Sequence, residues 1–463
     1  RVRSFISDAA REPRVLTLTF EDGTVRVGGL DESAVAAAAL PGVTWDDRGL
    51  VARAPAHRYA DLRAELDARD LAYEDRVRPE TRLDLSHAYD LRDYQQHALD
   101  AWRENGDRGV LELPTGAGKT VVAVAAIAAL GVPTLVVVPT VDLLDQWRRE
   151  LATEFDVPVG QFGGGEQTQE AVTVSTYDSA YLRAEDVGGD FGLVVFDEVH
   201  HLGGEGYRDV ARLLTAPARL GLTATFERPD GAHEAVAELV GPKVYDLTVE
   251  ELAGEHLADY EVRRVEVDLT PEERDRYEEA QGTFVDYLKR SNLSFSSGSD
   301  YRKLVMRSGS DPRAREALLA KQRARRIMMN ADEKVETLGR LLDRHRDDRV
   351  IVFTAHTDLV YRLSERYLLP AITSETGAAE RRELLERFRD GTYSRVVTAN
   401  VLDEGVDVPD ANVAVLLAGS GSEREFTQRL GRILRPKTDG RTAILYELVS
   451  AETAEERVAD RRR

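Results

Sequence analysis

The stretch Leu113-Pro114-Thr115-Gly116-Ala117-Gly118-Lys119-Thr120 decides the fold. It lies between a short apolar run, Gly109–Leu113, and a longer one that begins at Val121. A strand, a glycine-rich turn and a helix form a phosphate-binding loop. Glycines let backbone amides approach an anion, and a helix N-terminus favours negative charge. On this reading Pro114, Thr115, Gly116, Ala117 and Gly118 make the cradle, Lys119 reaches the β- and γ-phosphates of ATP, and Thr120 ligates Mg²⁺. The general pattern opens on glycine, where this chain has Leu113.

Outward from the loop, short apolar strands alternate with helices: Thr134–Val138, Val172–Ser175, Leu193–Phe196 and Arg219–Leu222. That alternation predicts an α/β fold with a parallel sheet and helices on both faces. Asp197-Glu198-Val199-His200 follows the strand Leu193–Phe196. A carboxylate at the end of a buried strand beside a phosphate loop is where Mg²⁺ must be held. Asp197 is the expected metal ligand, and Glu198 the residue that polarises the attacking water. Near Leu269 the pattern breaks. Residues 270–330 read as helical, charged and free of sheet, with a Ser/Gly tip at Ser294–Ser299. Alternation resumes at Val350–Thr354, Arg395–Ala399, Val413–Leu417 and Thr442–Glu447. Ahead of all this, Glu21-Asp22-Gly23 between two β-rich runs is a hairpin signal in a small α+β module. The expected organisation is an N-terminal module at 1–85, a first α/β domain at 86–268, a helical insertion at 269–330 and a second α/β domain at 331–463.

The second α/β domain carries Gln428-Arg429-Leu430-Gly431-Arg432-Ile433-Leu434-Arg435. Arg432 and Arg435 are three apart and share a helix face. They suit arginine fingers that stabilise charge on a γ-phosphate. Fingers from one domain and a phosphate loop from the other make hydrolysis depend on domain closure, which is the logic of a motor.

Composition bounds the alternatives. The 463 residues include no cysteine, which excludes disulfides, thiolate metal sites and cysteine nucleophiles. No run approaches the ~18 apolar residues of a membrane helix, and Arg1–Arg11 lacks the apolar core of a signal peptide. A cytoplasmic chain with no membrane partner is expected. The net charge is −21, and of the 62 basic residues seven are lysine, leaving 55 arginines. Abundant carboxylates with scarce lysine point to a saline source, because acidic surfaces keep a chain soluble in salt. Within this acidic chain, Tyr301–Asn330 holds nine basic residues against Asp311 and Glu316. Such an island reads as a nucleic-acid contact or as a solvated helix face.

Together the motifs resemble superfamily 2 helicases. The resemblance rests on Arg92-Asp93-Tyr94-Gln95, Lys119-Thr120, Val138-Pro139-Thr140, Ser175-Thr176-Tyr177, Asp197–His200, Thr223-Ala224-Thr225 and Glu404-Gly405-Val406-Asp407-Val408-Pro409. It implies that Arg92 and Gln95 read adenine and that Gly405, Asp407 and Gln428 line the nucleotide cleft. It also implies that His200, Thr223, Ala224 and Thr225 couple hydrolysis to movement. Thr140, Thr176 and Thr354 would meet the nucleic-acid backbone, where short hydroxyls suit phosphate contact without sequence readout.

Within the superfamily, Val174–Ala180, Gly221–Arg228 and Leu402–Val413 are similar to archaeal XPB, and the likeness spans nearly the whole chain. It implies two RecA-like domains, an N-terminal damage-recognition module and a thumb inserted in the second helicase domain. It further implies 3′→5′ polarity and a role in nucleotide excision repair. The eukaryotic relative belongs to the factor TFIIH; archaeal members pair with a nuclease. The basic island falls where the thumb would be, so Arg302, Lys303 and Arg307 are expected DNA contacts. The family's Arg-Glu-Asp element reads here Arg228-Pro229-Asp230, and Arg228 and Asp230 remain as duplex contacts. Proline removes a carboxylate and a backbone N–H, which puts strand separation in doubt more than translocation; Pro229-Asp230-Gly231 reads equally as a simple tight turn. Ionic contacts weaken as salt rises, so aromatic stacking by Tyr287, Phe295 and Tyr301 is expected to contribute.

Three other readings compete. An RNA helicase would carry Asp-Glu-Ala-Asp and Ser-Ala-Thr at the two motifs, and this chain has neither. A restriction motor would bring a nuclease cluster, which the sequence lacks. A non-catalytic DNA-binding scaffold would have a broken phosphate loop or lack the fingers, and both are intact.

Overall fold

The computed structural model describes residues 15–77, 81–114, 116–204, 206–227, 231–248, 251, 260–291, 298–399, 411–417 and 442–455. The chain divides into two compact units, residues 1–252 with 404–406, and 253–403 with 407–463.

The first unit opens with strands β1 (Leu16–Glu21), β2 (Thr24–Gly28), β3 (Thr44–Asp46), β4 (Val51–Pro55) and β5 (Tyr73–Asp75), ordered β3-β4-β2-β1-β5. Asp22 and Gly23 join β1 to β2 with φ of 49° and 69°. Two successive left-handed residues match the twist of a tight hairpin, as the Asp-Gly pair signals. The helix Tyr59–Ala68 buries Tyr59, Leu62 and Leu66 against Leu18, Val25 and Ala52.

An eight-stranded sheet follows: β6 (Arg108–Glu112), β7 (Thr134–Val138), β8 (Val159–Gly163), β9 (Glu166–Thr168), β10 (Val172–Thr176), β11 (Leu193–Phe196), β12 (Ala218–Thr223) and β13 (Lys243–Asp246). Its order is β13-β6-β12-β11-β7-β10-β8-β9. All pairs are parallel except the β8–β9 hairpin. Every residue of β7, β10 and β11 is buried, the continuous apolar pattern of strands covered on both faces. The helix Lys119–Leu130 is buried from Val122 to Ile127, which explains why it is apolar all round.

The second unit contains β14 (Tyr260–Val267), β15 (Val350–Thr354), β16 (Ala371–Ile372), β17 (Arg395–Ala399), β18 (Val413–Leu416) and β19 (Ala443–Ser450), all parallel and ordered β14-β19-β18-β15-β17-β16. Here the expected boundary needs correction. The sequence pattern places residues 260–267 in the first α/β domain, but they form β14 and pair with β19 along its whole length. Glu261, Arg263, Arg264 and Glu266 hide the strand in the sequence. As an edge strand it tolerates charge on its face, and Arg264 pairs with Glu447 of β19 at 3.7 Å.

That pairing puts the helical segment between two strands of one sheet. Its helices are Pro271–Ser291, Gly298–Ser308 and Pro312–Met329. Ala314, Ala317, Ala320 and Ala324 form a small-residue stripe on the third helix and let it lie close to its neighbours. Phe284 and Leu304 pack onto this stripe near Ala314 and Ala317. Residues 292–297, most of the expected Ser/Gly tip, lie outside the described residues, and so does Phe295.

Candidate nucleotide site and its connections

The strand order β6-β12-β11 sets three strand ends side by side: the phosphate loop after β6, Thr223 at the end of β12 and Asp197 after β11. Residues far apart in sequence thus meet at one edge. Leu113 N–H donates to the Thr223 carbonyl at 2.9 Å and ties the loop to β12.

In the loop, Gly116 and Gly118 have φ of 88° and 79°. Gly118 is the N-cap of the helix Lys119–Leu130. Lys119 Nζ donates to the Leu113 carbonyl at 3.1 Å, so the ammonium curls over the loop. Gln95 is buried beside it. Its Nε2 donates to the Ala117 carbonyl at 2.9 Å, and its Oε1 accepts the Arg92 N–H at 3.0 Å. Tyr94 Oη donates to the same Ala117 carbonyl at 2.8 Å. In this structure Gln95 therefore braces the phosphate loop; an amide keeps a second N–H and a second lone pair for a base.

Asp197 is fixed from four sides. Its N–H donates to the Val137 carbonyl at 2.9 Å. Its Oδ1 accepts the Glu198 N–H at 3.0 Å, and its Oδ2 accepts the Trp147 indole N–H at 2.9 Å. Tyr177 Oη donates to its carbonyl at 3.1 Å. Burial pushes the carboxyl above the usual carboxylate range, while the Trp147 N–H and the Lys119 charge pull it back. Each carboxylate oxygen has a further lone pair. An oxygen-only cation such as Mg²⁺ takes one or two carboxylates and completes its shell with water and substrate phosphate. Asp197 and the Thr120 hydroxyl, at the same edge of the sheet, fit that donor set. Among the described residues no group of three or more His, Cys, Asp or Glu is placed to hold a metal ion.

Glu198 has a left-handed φ of 47°, uncommon for a residue with a side chain. Its Oε2 lies 3.4 Å from His200 Nδ1. The same nitrogen lies 3.3 Å from Thr223 Oγ1. Thr223 Oγ1 in turn donates to the Thr225 carbonyl at 2.9 Å and accepts the Thr225 N–H at 3.2 Å. Glu198, His200, Thr223 and Thr225 thus form one chain of contacts around the buried Ala224.

The expected nucleic-acid residues divide. Thr140 lies two residues past the end of β7 and the buried Thr176 ends β10, and each caps the following helix: Thr140 Oγ1 accepts the Leu143 N–H and Thr176 Oγ1 the Ser179 N–H. Thr354 is fully buried, and its hydroxyl accepts the His356 N–H at 3.4 Å. Burial thus corrects the expectation that the Thr354 side chain meets a phosphate directly. Arg302, Lys303 and Arg307 are exposed on the helix Gly298–Ser308. Tyr301 is 39% exposed, with Lys321 Nζ over its ring at 5.2 Å, whereas Tyr287 packs against the insertion core. Thr115, Arg228, Asp230, Gly405, Asp407, Gln428, Arg432 and Arg435 lie outside the described residues.

Trp147 is not legible as a site residue in the sequence, and Tyr177, although it closes the Ser175-Thr176-Tyr177 motif, carries no assigned role there. Trp147 falls on the apolar face of an amphipathic helix with Leu143, Leu144 and Leu151, where it reads as core. A buried indole needs an acceptor for its N–H, but the sequence does not say which.

Three family models match. Residues 18–77 match the Xeroderma pigmentosum group B helicase damage recognition domain, 88–228 the type III restriction enzyme res subunit, and 315–463 the ERCC3/RAD25/XPB C-terminal helicase. The chain is 44% identical over 424 residues to the DNA 3′-5′ translocase XPB2 of Sulfurisphaera tokodaii, covering 91% of this chain and 96% of that protein. It is 33% identical to the DNA 3′-5′ helicase XPB of Mycobacterium tuberculosis, covering 81% of this chain and 63% of that protein. A putative DNA 3′-5′ helicase Rad25 of Haloarcula marismortui is also 33% identical, over 82% of this chain and 55% of that protein. The Hef helicase domain of Pyrococcus furiosus superposes with a TM-score of 0.50 at 19% identity, over 81% of this chain and 98% of that one, a likeness of fold. Among the described residues no helix is long and apolar enough to cross a membrane. The chain belongs to the XPB family of superfamily 2 helicases.

Proposed function

We propose that this chain couples ATP hydrolysis to 3′→5′ movement on DNA in excision repair. The observation that carries the reading is the meeting of Lys119, Asp197–Glu198 and the His200–Thr223–Thr225 chain at three adjoining strand ends. The relatives' names supply the polarity and the polymer.

In this reading the loop amides from Gly116 to Thr120 bind the phosphates, and Lys119 leaves the Leu113 carbonyl to meet the γ-phosphate. Asp197 and Thr120 would hold Mg²⁺, which would supply positive charge against the phosphates. Glu198 orients the attacking water and accepts its proton. The strained backbone at Glu198 fixes where that carboxylate points, and His200 carries a change at Glu198 on to Thr223. Arg432 and Arg435 join this reading through their motif, as do Gly405, Asp407 and Gln428. Arg302, Lys303 and Arg307 grip the DNA backbone, and a nuclease partner acts on the product. The domain limits adopted are 1–85 for the module, about 86–252 for the first motor domain, and about 253–463 for the second with its thumb inserted at 271–329.

Movement without strand separation is favoured as the basic activity by the Arg228-Pro229-Asp230 departure. The test compares ATPase stimulation by single-stranded DNA, duplex DNA and RNA, followed by strand displacement on 3′-tailed and forked DNA. Stimulation by DNA above RNA is expected. Stronger stimulation by RNA overturns the reading, and stimulation without displacement identifies a translocase.

A further inference from the structure

The four bonds that fix Asp197 differ in origin. Those from Val137 and Glu198 are local to the sheet edge. The other two come from side chains that begin helices or ride on them. Trp147 lies on the helix Val141–Glu154, whose N-cap is Thr140. Tyr177 is the first residue of the helix Tyr177–Val187, whose N-cap is Thr176. Both rings are about 1% exposed. Both helices leave strands, β7 and β10, that adjoin each other and, through β7, the strand that carries Asp197.

By burial alone a phenylalanine would serve as well as Tyr177, and Trp147 would need only a side chain of its bulk. Each residue instead spends its one polar hydrogen on Asp197: the indole N–H on Oδ2 and the phenol O–H on the carbonyl. A buried N–H has many backbone carbonyls to choose from, yet here the acceptor is the carboxylate that faces the phosphate loop. Tyr177 is further located by its ring contact with Phe196, the last residue of β11, at 6.4 Å between centroids. A helix moves as a rigid rod, so a small displacement at its capped end is felt two turns along.

We propose that Trp147 and Tyr177 are positioning residues that relay nucleic-acid occupancy at the Thr140 and Thr176 helix ends to the Asp197 carboxylate. The relay rests on the reading that these two strand ends meet the DNA backbone. It explains in physical terms how a polymer could stimulate hydrolysis: DNA on the two caps holds both helices in one place, and both then hold Asp197 where the metal–nucleotide requires it. If DNA thereby also raises the affinity for nucleotide with Mg²⁺, reciprocity requires that the nucleotide tighten DNA by that same affinity factor.

The test uses the full chain with Trp147→Phe, Tyr177→Phe and the double variant, each checked by thermal melting. The first readout is the ratio of DNA-stimulated to unstimulated turnover, whatever the unstimulated rate. The second is DNA affinity by fluorescence anisotropy, with and without a Mg²⁺-bound non-hydrolysable ATP analogue. In the variants the stimulation ratio is expected to fall by about fivefold or more, and the analogue's effect on DNA affinity to shrink as well. A purely structural role would lower both turnover rates together and leave both ratios intact, and that result overturns the relay. Should Trp147→Phe fail to fold, Tyr177→Phe, which deletes a single oxygen, decides the matter alone. A wild-type chain that DNA does not stimulate refutes the underlying DNA reading instead.

Discussion

A Cβ placed on Gly118 would lie 2.4 Å from Nε2 of Gln95. That space is filled because the Gln95 amide bonds across the loop to the Ala117 carbonyl. Gly118 also has φ of 79°, which costs an L-residue about 1–2 kcal/mol. Gly118→Ala should therefore weaken binding of a fluorescent ATP analogue at least about tenfold. Adding Gln95→Ala removes the collision but leaves the backbone cost and takes away the adenine contact read for Gln95, so affinity should recover at most in part. Full recovery would mean that the backbone conformation is not needed.

Lys119 contributes charge rather than packing, since its ammonium meets one carbonyl across the loop. Lys119→Ala should lower ATP turnover by about 100-fold or more while the melting temperature stays near that of the parent chain. Near-normal turnover would remove the phosphate loop from the mechanism.

The legible part of the fold was the part written in apolar periodicity. Buried strands such as Thr134–Val138 and Leu193–Phe196 stand out because both faces are covered, and the Asp22-Gly23 turn because its φ values exclude most residues. β14 was missed because an edge strand need not be apolar: its Arg264 is paired by Glu447 from a strand far along the chain. In the site, motif residues could be named one by one. Their connections could not, because the Trp147 bond to Asp197 spans 50 residues and depends on strand order. Thr354 illustrates the reverse error. Its position at a strand end suggests a contact with the nucleic-acid backbone, but its side chain is fully buried.

On the thumb helix Gly298–Ser308, Arg302, Lys303 and Arg307 are exposed, and Lys303 pairs with Asp300 at 3.3 Å. Each phosphate interaction removed should reduce the slope of log affinity against log salt by about 0.9 on duplex DNA. Replacing all three by alanine should lower that slope by up to about 3 and leave sequence preference unchanged. An unchanged slope would return the island to the status of a solvated face.

His57 lies in the short helical turn Ala56–Arg58, and its Nδ1 is buried without a hydrogen-bond partner among the described residues. Burial, reinforced by the Arg219 guanidinium, pushes the imidazole below its ordinary value of 6.5. The unfolded chain thus takes up this proton more readily than the folded one. Above pH 6.5 the group costs nothing. As pH falls from 6.5 through the lowered value, stability is lost. Thermal melts of wild type and His57→Asn between about pH 5 and 7.5 should diverge at the acid end, with the variant losing less. Parallel curves would show that other groups carry the acid sensitivity.

Lys334 is fully buried in the second unit, where its ammonium meets both carboxylate oxygens of Glu455 at 2.9 and 2.7 Å and the Leu417 carbonyl at 2.7 Å. Glu455 Oε2 also accepts the Ser450 N–H at 3.0 Å, so the pair fastens the ends of β18 and β19 to the helix Asp332–Arg344. Removing one buried partner strands the other's charge, so Lys334→Met should cost about 3–5 kcal/mol in denaturant unfolding. In the double variant Lys334→Met with Glu455→Gln no charge is left behind, and an amide oxygen can still accept from Ser450. The double variant should therefore be more stable than the single one, recovering much of the deficit. If it is no better, the cost of the single substitution lies in poorer packing around the Lys334 stem rather than in the stranded carboxylate.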